Sequence, residues 1–411
     1  MKKILFILAM VMSSMQIMAQ MDTSFMLISK IDFFRQFKLH DNNEIKLMGY
    51  TVSIGGPIDI PSPTLNFTEG DSVNINMWNL SQGPPHTIHL HGLDVDQQND
   101  GVPALSFSVE HDDTGSYYFQ APHPGTYIYH CHETSVLHVQ SGMYGLVIVR
   151  PASADTLTWE DGYSFHSEQA WLTSEIDTNW HVDSIINHPH DPLATSHLIL
   201  DYTPQHYLIN GKSEQQIDNS DIEVHGSVQE IMYLRLANIG YYGNQFIFPT
   251  GLNANIIASD GRPLPAAYNS DTLELLPGER YGILFEANSE FIDSIQVNYF
   301  DLNNGNTINT QYADVVISGF VNAKELGLEM EPILVYPNPT AEFINFELPE
   351  NDHEEYTVSI TNMLGERVIE KSISNVPGNK QTVSITGLTK GSYIVVLQSS
   401  DNQWTEKIII Q

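Results

Sequence analysis

The sequence predicts an all-β protein made of successive β-sandwiches, and three observations carry that prediction. Helical periodicity is scarce along the chain. The apolar segments are short and rich in Val, Ile, Tyr and Thr, as in Ser72–Trp78, Gly115–Gln120, Gly125–Tyr129 and Tyr144–Val149. Gly, Pro, Asn and Asp separate them, the alternation of strand and turn found in sandwiches. The chain has 411 residues, enough for two to four domains. Hydrophobic residues make up 41 % and charged residues only 16 %, so real cores are affordable. Lys and Arg total 17 against 50 Asp and Glu, a net charge of −33. A surface so acidic repels phosphate backbones and anionic headgroups, which excludes nucleic-acid binding and leaves neutral or cationic substrates.

In chain order, residues 1–19 have the layout of a secretory signal peptide: Lys2 and Lys3, an apolar run from Ile4 to Met12, then Ala19 before Gln20. A first block runs from about Asp22 to Ala152 and a second from about Asp155 to Phe320. Lys324–Glu331 has the composition of a linker, and a third block extends from about Ile333 to Gln411. The chain has one cysteine, Cys131, so it forms no internal disulfide. An exported protein exposes a bare thiol to oxidation, whereas a metal-bound thiolate is protected.

The first block holds nearly all the unusual chemistry. Eight of the 17 histidines (His86, His89, His91, His111, His123, His130, His132 and His138) fall between residues 86 and 138, where an even spread would put about two. Cys131 lies in the same window. In His89-Leu90-His91 the imidazoles sit at i and i+2, so on a strand they share a face. In His130-Cys131-His132 the two histidines face one way and the thiol the other. One strand end can therefore serve two metal sites on opposite sides. An H-x-H pair alone fits zinc or surface histidines equally well. Cys131, His138 and Met143 follow within thirteen residues, and His86 lies upstream. A thiolate, two imidazoles and a thioether form the soft mixed set of a blue-copper centre, and zinc has no use for the thioether.

These residues resemble a known family. His86-Thr-Ile-His89-Leu-His91-Gly92 is similar to the H-x-x-H-x-H-G motif of multicopper oxidases, and His130-Cys131-His132, His138 and Gly142-Met143 to their H-C-H … H … G-M motif. Ser62-Pro-Thr-Leu, Glu69-Gly-Asp-Ser-Val and Asp100-Gly101-Val102-Pro103 resemble further parts of the same domain. In the second block, Tyr207-Leu-Ile-Asn-Gly211, Leu234-Arg-Leu-Ala-Asn238, Ser259-Asp-Gly-Arg-Pro263 and Pro277-Gly-Glu-Arg280 resemble the family's copper-free domain. The resemblance implies two cupredoxin domains of Greek-key type. It implies a type 1 copper held by His86, Cys131, His138 and Met143, and a type 2/type 3 copper cluster, where dioxygen is reduced, on His89, His91, His130 and His132. It makes Asp100 a candidate proton donor, although Asn99-Asp100-Gly101 is equally a turn. An external reductant is expected to enter through an exposed edge of His138 or His86, with phenols, Fe(II) or Cu(I) as candidate substrates.

The chain departs from the family twice. Five residues separate His132 from His138, where the family usually has three. A full cluster takes eight histidines from two domains, and four are present here. The second block has His166, His181, His188, His190, His197, His206 and His225, but its one H-x-H, His188-Pro189-His190, sits in a Pro-bounded loop. Two first domains related by a two-fold axis would together supply eight, so a homo-oligomer is expected, a dimer before a trimer. Two alternatives stand beside the oxidase. One is a non-enzymatic blue-copper carrier or copper-binding protein. The other is a copper nitrite reductase; that family has a non-ligand residue where His132 stands, and it needs a histidine near Asn244–Pro249, where none occurs.

The third block, with Val335-Tyr-Pro-Asn-Pro339, Asn362-Met-Leu-Gly-Glu366, Gly391-Ser-Tyr393 and Lys407-Ile-Ile-Ile410, resembles the C-terminal sorting domain of the type IX secretion system. It implies that secretion machinery as a partner, and delivery to the cell surface or medium.

Overall fold

The computed structural model describes residues 22–319, apart from 33–34, 82, 187–200 and 219, and residues 335–410, apart from 348–354, 363–366, 375–379 and 400–402. The signal peptide, the linker and the His188-Pro189-His190 loop lie outside the described residues. The regular structure of the described residues is nearly all strand, with only short helices beside it. Residues up to 320 form one compact unit, and those from 321 onward form another.

The first sandwich uses eight strands: β1 (Asp22–Ile31), β2 (Met48–Thr51), β3 (Leu65–Thr68), β4 (Ser72–Asn79), β5 (His89–His91), β6 (Thr114–Gln120), β7 (Gly125–His130) and β8 (Tyr144–Arg150). Their sheets run β2-β1-β4-β6 and β3-β8-β7-β5. The β1/β4 and β3/β8 pairs are parallel and the others antiparallel, so the chain repeatedly crosses between sheets. Alternation explains the strands. In β4, Val73, Ile75, Met77 and Asn79 are buried and the residues between them are half-exposed.

β7 differs, because all six of its residues are buried. Tyr127 and Tyr129 enter the core of the first sandwich, together with Cys131 just beyond the strand. Ile128, on the opposite face, joins a second apolar layer with Tyr144, Leu146, Leu172, Ile176, Leu208, Ala237 and Ile239. That layer is contributed by both halves of the unit. A strand covered on both faces loses its polar alternation.

The second sandwich comprises β9 (Ser167–Ile176), β10 (His206–Ile209), β11 (Val224–Ser227), β12 (Ile231–Asn238), β13 (Gly243–Ile247), β14 (Asn255–Ser259), β15 (Arg262–Asn269), β16 (Thr272–Leu275), β17 (Arg280–Glu286), β18 (Phe291–Phe300) and β19 (Thr307–Ser318). Its sheets run β10-β9-β12-β17-β14-β15 and β11-β19-β18-β13-β16. Polar ties join it to the first sandwich. Tyr144 donates to Ser174 Oγ at 2.9 Å, and Arg262 reaches Tyr127 Oη at 2.7 Å and Asp94 at 2.6 Å. Arg235 is fully buried; it bonds Glu168 at 2.9 Å and Thr126 Oγ1 at 3.2 Å, over the Tyr233 ring at 4.4 Å. Glu168 also pairs with Arg150.

The C-terminal unit is a separate sandwich of a three-stranded and a four-stranded sheet around Ile344, Phe346, Tyr356, Val358, Val395 and Leu397. Its opening motif is fastened to the last strand: Thr340 N–H donates to Ile409 O, and Ile409 N–H donates to Asn338 Oδ1, both at 2.9 Å.

Glu168 balances a wholly buried guanidinium, so removing it leaves a charge unpaired between the sandwiches. Glu168→Ala is expected to lower the unfolding free energy of the chain by about 3 kcal/mol in denaturant titrations. Glu168→Gln, which keeps a hydrogen-bond acceptor, should cost clearly less.

Candidate metal centre

The inner ligand set begins with Cys131, whose side-chain parity follows Tyr127 and Tyr129 into the first core. His86 reaches it from the segment before β5. His138 reaches it from α1 (Ser135–Gln140), the helix that occupies the lengthened gap after His132. The three side chains are 0 % exposed. Cys131 Sγ lies 3.1 Å from His138 Nδ1 and 3.6 Å from His86 Nδ1, and the two Nδ1 atoms are 3.3 Å apart. A point equidistant from the three atoms lies about 1.9 Å from each, close to the roughly 2.0–2.3 Å of metal–imidazole and metal–thiolate bonds. Burial pushes the Cys131 thiol up to about 12; a bound cation reverses that preference, because coordination deprotonates a thiol outright. Thr87 N–H points at the sulfur from 3.5 Å. Met143 is also fully buried. Its backbone closes the ring of ligands: Cys131 N–H donates to Met143 O at 3.1 Å, and Met143 N–H donates to His138 O at 3.0 Å. The donor set suits copper.

The outer set lies on the other face of the same strand end. The antiparallel register places His89 directly opposite His130, where cross-strand side chains meet. Their ring centroids are 5.1 Å apart; His89 and His132 are also at 5.1 Å, His89 and His91 at 5.7 Å, and His130 and His132 at 5.9 Å. The ligand atoms of His89, His91 and His130 all lie within 4.8 Å of one another. His89 Nδ1 is 2.7 Å from Asp100 O, and His130 Nδ1 is 3.0 Å from Cys131 O. Each Nδ1 therefore carries the proton, which leaves Nε2 with a lone pair for a metal. Burial pushes His130 down to about 3; burial and then the Arg280 cation push His91 down to about 4. Burial also lowers His89. All three are neutral imidazoles at pH 7, the form that binds metal. The His130–Cys131 carbonyl bond links the two sets directly.

Asp100 sits at the turn and near the outer set. It ends the turn Gln97–Asn99, and its carboxylate Oδ1 is 3.5 Å from His89 Nδ1. Gly101 after it has φ +76°, and a Cβ there would lie 2.0 Å from Ile88 O, so only glycine fits this approach.

One expectation is overturned. Neither His86 nor His138 offers an exposed edge, because both rings are completely buried. The second sandwich's leading segment packs nearby: Trp180, Ile185 and Tyr202 cluster with Leu137 of α1, and Ile186 packs into the first core. The sequence also did not disclose what Arg280 does. Its guanidinium lies against Gly92, where a Cβ would meet Nη2 at 2.1 Å, and at Gly278 a Cβ would stand 3.2 Å from the His91 ring. The Pro277-Gly-Glu-Arg280 and Asp260 segments thus back the outer set, with Arg280 held by Asp260 at 3.1 Å. Among the described second-block histidines, His166 accepts from Ile231 N–H, His181 bonds Lys46 O, His206 meets His40, and His225 pairs with Glu223. None of these four belongs to either ligand set.

The site is thus two opposed ligand sets, one of thiol and imidazoles and one of imidazoles, at one strand end of a β-sandwich. The multicopper oxidase family matches residues 44–154 and 178–316, together more than half of the chain, and the secretion system C-terminal sorting domain matches residues 334–411. The chain belongs to the multicopper oxidase family and carries a C-terminal sorting domain. It is 41 % identical to copper resistance protein A of Escherichia coli over 91 residues, which are 22 % of this chain and 14 % of that protein. It is 28 % identical to Laccase-15 of Oryza sativa subsp. japonica over 246 residues, 57 % of this chain and 38 % of that one. The chain spans less than half the length of these curated relatives. A solved structure of blue copper oxidase from Nitrosomonas europaea shares its fold, with a TM-score of 0.57 at 24 % identity over 72 % of this chain and 86 % of that one.

Proposed function

We propose that the protein is a copper-dependent oxidase delivered to the cell surface or medium through a signal peptide and type IX secretion. It would oxidise a phenol or a metal ion, Fe(II) or Cu(I), by single electrons and reduce dioxygen to water. The observation that carries this reading is the parity of His130-Cys131-His132, which joins a buried thiolate set to an imidazole set through one residue. His86, Cys131, His138 and Met143 would hold a type 1 copper. His89, His91, His130 and His132 would hold half of a type 2/type 3 cluster. Copper bound there supplies the one-electron chemistry. The residues do the rest. The core around Cys131 excludes water, the Asp100 and Cys131 carbonyls fix the tautomers of His89 and His130, and Asp100, with its carboxylate beside His89, is the candidate proton donor.

Four histidines are half a cluster, so we assign the other half to a second copy, two first sandwiches meeting about a two-fold axis. A trimer is the rival assembly. The same half-set favours one other reading, a blue-copper carrier without turnover.

Visible spectroscopy on the copper-loaded chain tests the inner set. Cys131→Ser should abolish the intense blue thiolate-to-copper absorption and all oxygen uptake while the fold survives. Met143→Leu should keep the colour and raise the potential, since it removes a weak electron donor to the metal. A Cys131→Ser protein that stays blue would refute the assignment.

Copper counting tests the assembly. Two inner sites and one three-copper cluster per dimer correspond to about 2.5 copper ions per chain, against about one for a carrier. A strictly monomeric protein that still reduces dioxygen to water would exclude the shared cluster.

Ending the chain after about Gly327 removes the sorting block, none of whose residues belongs to a ligand set. The purified product should load copper and oxidise substrate, while remaining inside the outer membrane when expressed in its host.

A further inference from the structure

The buried inner set needs another way for electrons to enter, and an aromatic path leads to it. This argument rests on the copper reading above. Trp180, 2 % exposed, packs with Leu137, the residue before His138. Its ring lies 5.7 Å from that of Tyr202. Tyr202 in turn lies 5.0 Å from Tyr241 and 5.9 Å from Tyr242. These three tyrosines are half-exposed. The Tyr241 hydroxyl donates to Val136 O at 2.7 Å, fixing the surface end of the path to the helix that carries His138. Electron tunnelling falls off exponentially with distance, and closely spaced oxidisable rings divide one long step into short ones.

A phenol gives up an electron at an accessible potential only if its proton leaves too, and the structure supplies an acceptor. The Tyr202 hydroxyl donates to Glu175 Oε2 through a long 3.4 Å hydrogen bond. Gln140, also in α1, donates to the Tyr202 oxygen at 3.2 Å and to Glu175 O at 3.0 Å. Glu175 is 2 % exposed, and its Oε1 has no hydrogen-bond partner among the described residues. Tyr241 N–H donates to Oε2 at 2.8 Å. Burial pushes this carboxyl up to about 7, so near neutral pH it exchanges a proton readily. Gly240 makes room for it, since a Cβ there would stand 2.3 Å from Oε1.

We propose that Trp180 and Tyr202, with Glu175 as proton partner, form the relay that carries electrons from an external one-electron donor at the Tyr241/Tyr242 surface to the centre held by His86, Cys131 and His138. With oxidised copper held by His86, Cys131 and His138, Tyr202 would give up one electron by way of Trp180 and pass its hydroxyl proton to Glu175 Oε2, leaving a neutral phenoxyl radical. The external donor then returns one electron to the ring, and Glu175 returns the proton. Each cycle moves one electron inward with no net change in protons.

The test follows bleaching of the blue absorption by an organic one-electron donor under anaerobic conditions. Tyr202→Phe and Trp180→Phe keep the packing but remove the oxidisable group. Each should slow bleaching by about tenfold, a barrier change of about 1.4 kcal/mol, with copper content and potential unchanged. Glu175→Gln should slow it too and abolish its solvent deuterium isotope effect, which loss of a merely structural turn cap would not do. In a second arm, the copper-free chain is oxidised by a photogenerated ruthenium(III) complex. Electron paramagnetic resonance should show a tyrosyl radical that is lost in Tyr202→Phe. Equal bleaching rates in wild type, Tyr202→Phe and Trp180→Phe would overturn the relay, as would a radical unchanged in Tyr202→Phe. A wild-type chain that binds no copper would defeat the copper reading instead, and the copper-free arm would still decide the relay.

Discussion

The alternation of side chains across one strand end governs this site. β7 sends Tyr127, Tyr129 and then Cys131 into the core of the first sandwich, and Ile128 and His130 to the other face. A shift of one residue would put the thiol outside and the imidazoles inside, because strand register exchanges whole faces. The register of β7 against β5 then sets His89 opposite His130, and that against β8 sets Tyr144 opposite His130. The core that holds this register also excludes water from Cys131, so the packing that stabilises the sandwich is the packing that shields the sulfur.

The second sandwich completes what the first begins. It covers the outward face of β7 with apolar side chains, and it brings Arg280 and Gly278 against the outer histidines. A cation beside His91 works against protonation of that ring, and so favours the lone pair a metal requires. Gly92, at φ +80°, and Gly278, at φ +84°, have no side chain at the points of closest approach. The H-x-H-G and Pro-Gly-Glu-Arg segments thus meet across the two sandwiches, although nearly two hundred positions separate them in sequence. The fully buried Arg235, with its Glu168 partner, stands at the same junction.

Much of this was legible in the sequence because its signals were local. Strand length, turn residues and the parity of His130-Cys131-His132 need no knowledge of distant contacts, and the inner triad follows from residue type and spacing. Three features were not legible. The lengthened gap before His138 gave no sign that it would fold as a helix. Arg280 could be recognised as part of a motif, but its contact with Gly92 depends on how two sandwiches dock. The burial of His86 and His138 was the third, since nothing local shows that Trp180, Ile185 and Tyr202 would pack with Leu137, next to His138. In each case the missing information was a contact between residues far apart in the chain, which hydrophobic pattern alone does not encode.

On the proposed function, that burial changes where selectivity for the electron donor would reside. An imidazole edge open to solvent would let the loops around His138 choose the reductant by direct contact. Here the second sandwich lies against α1: Tyr241 bonds the helix backbone, and Tyr202 meets both Tyr241 and Trp180 edge to face. On the proposed function, substitutions in the first sandwich near the ligands would alter the affinity and potential of the centre, and substitutions at Tyr202, Tyr241 and Tyr242 would alter which molecules approach. Ligation and access are divided between two sandwiches that fold as one unit, so loosening their junction would open the inner set to water and separate it from its aromatic surface at the same time.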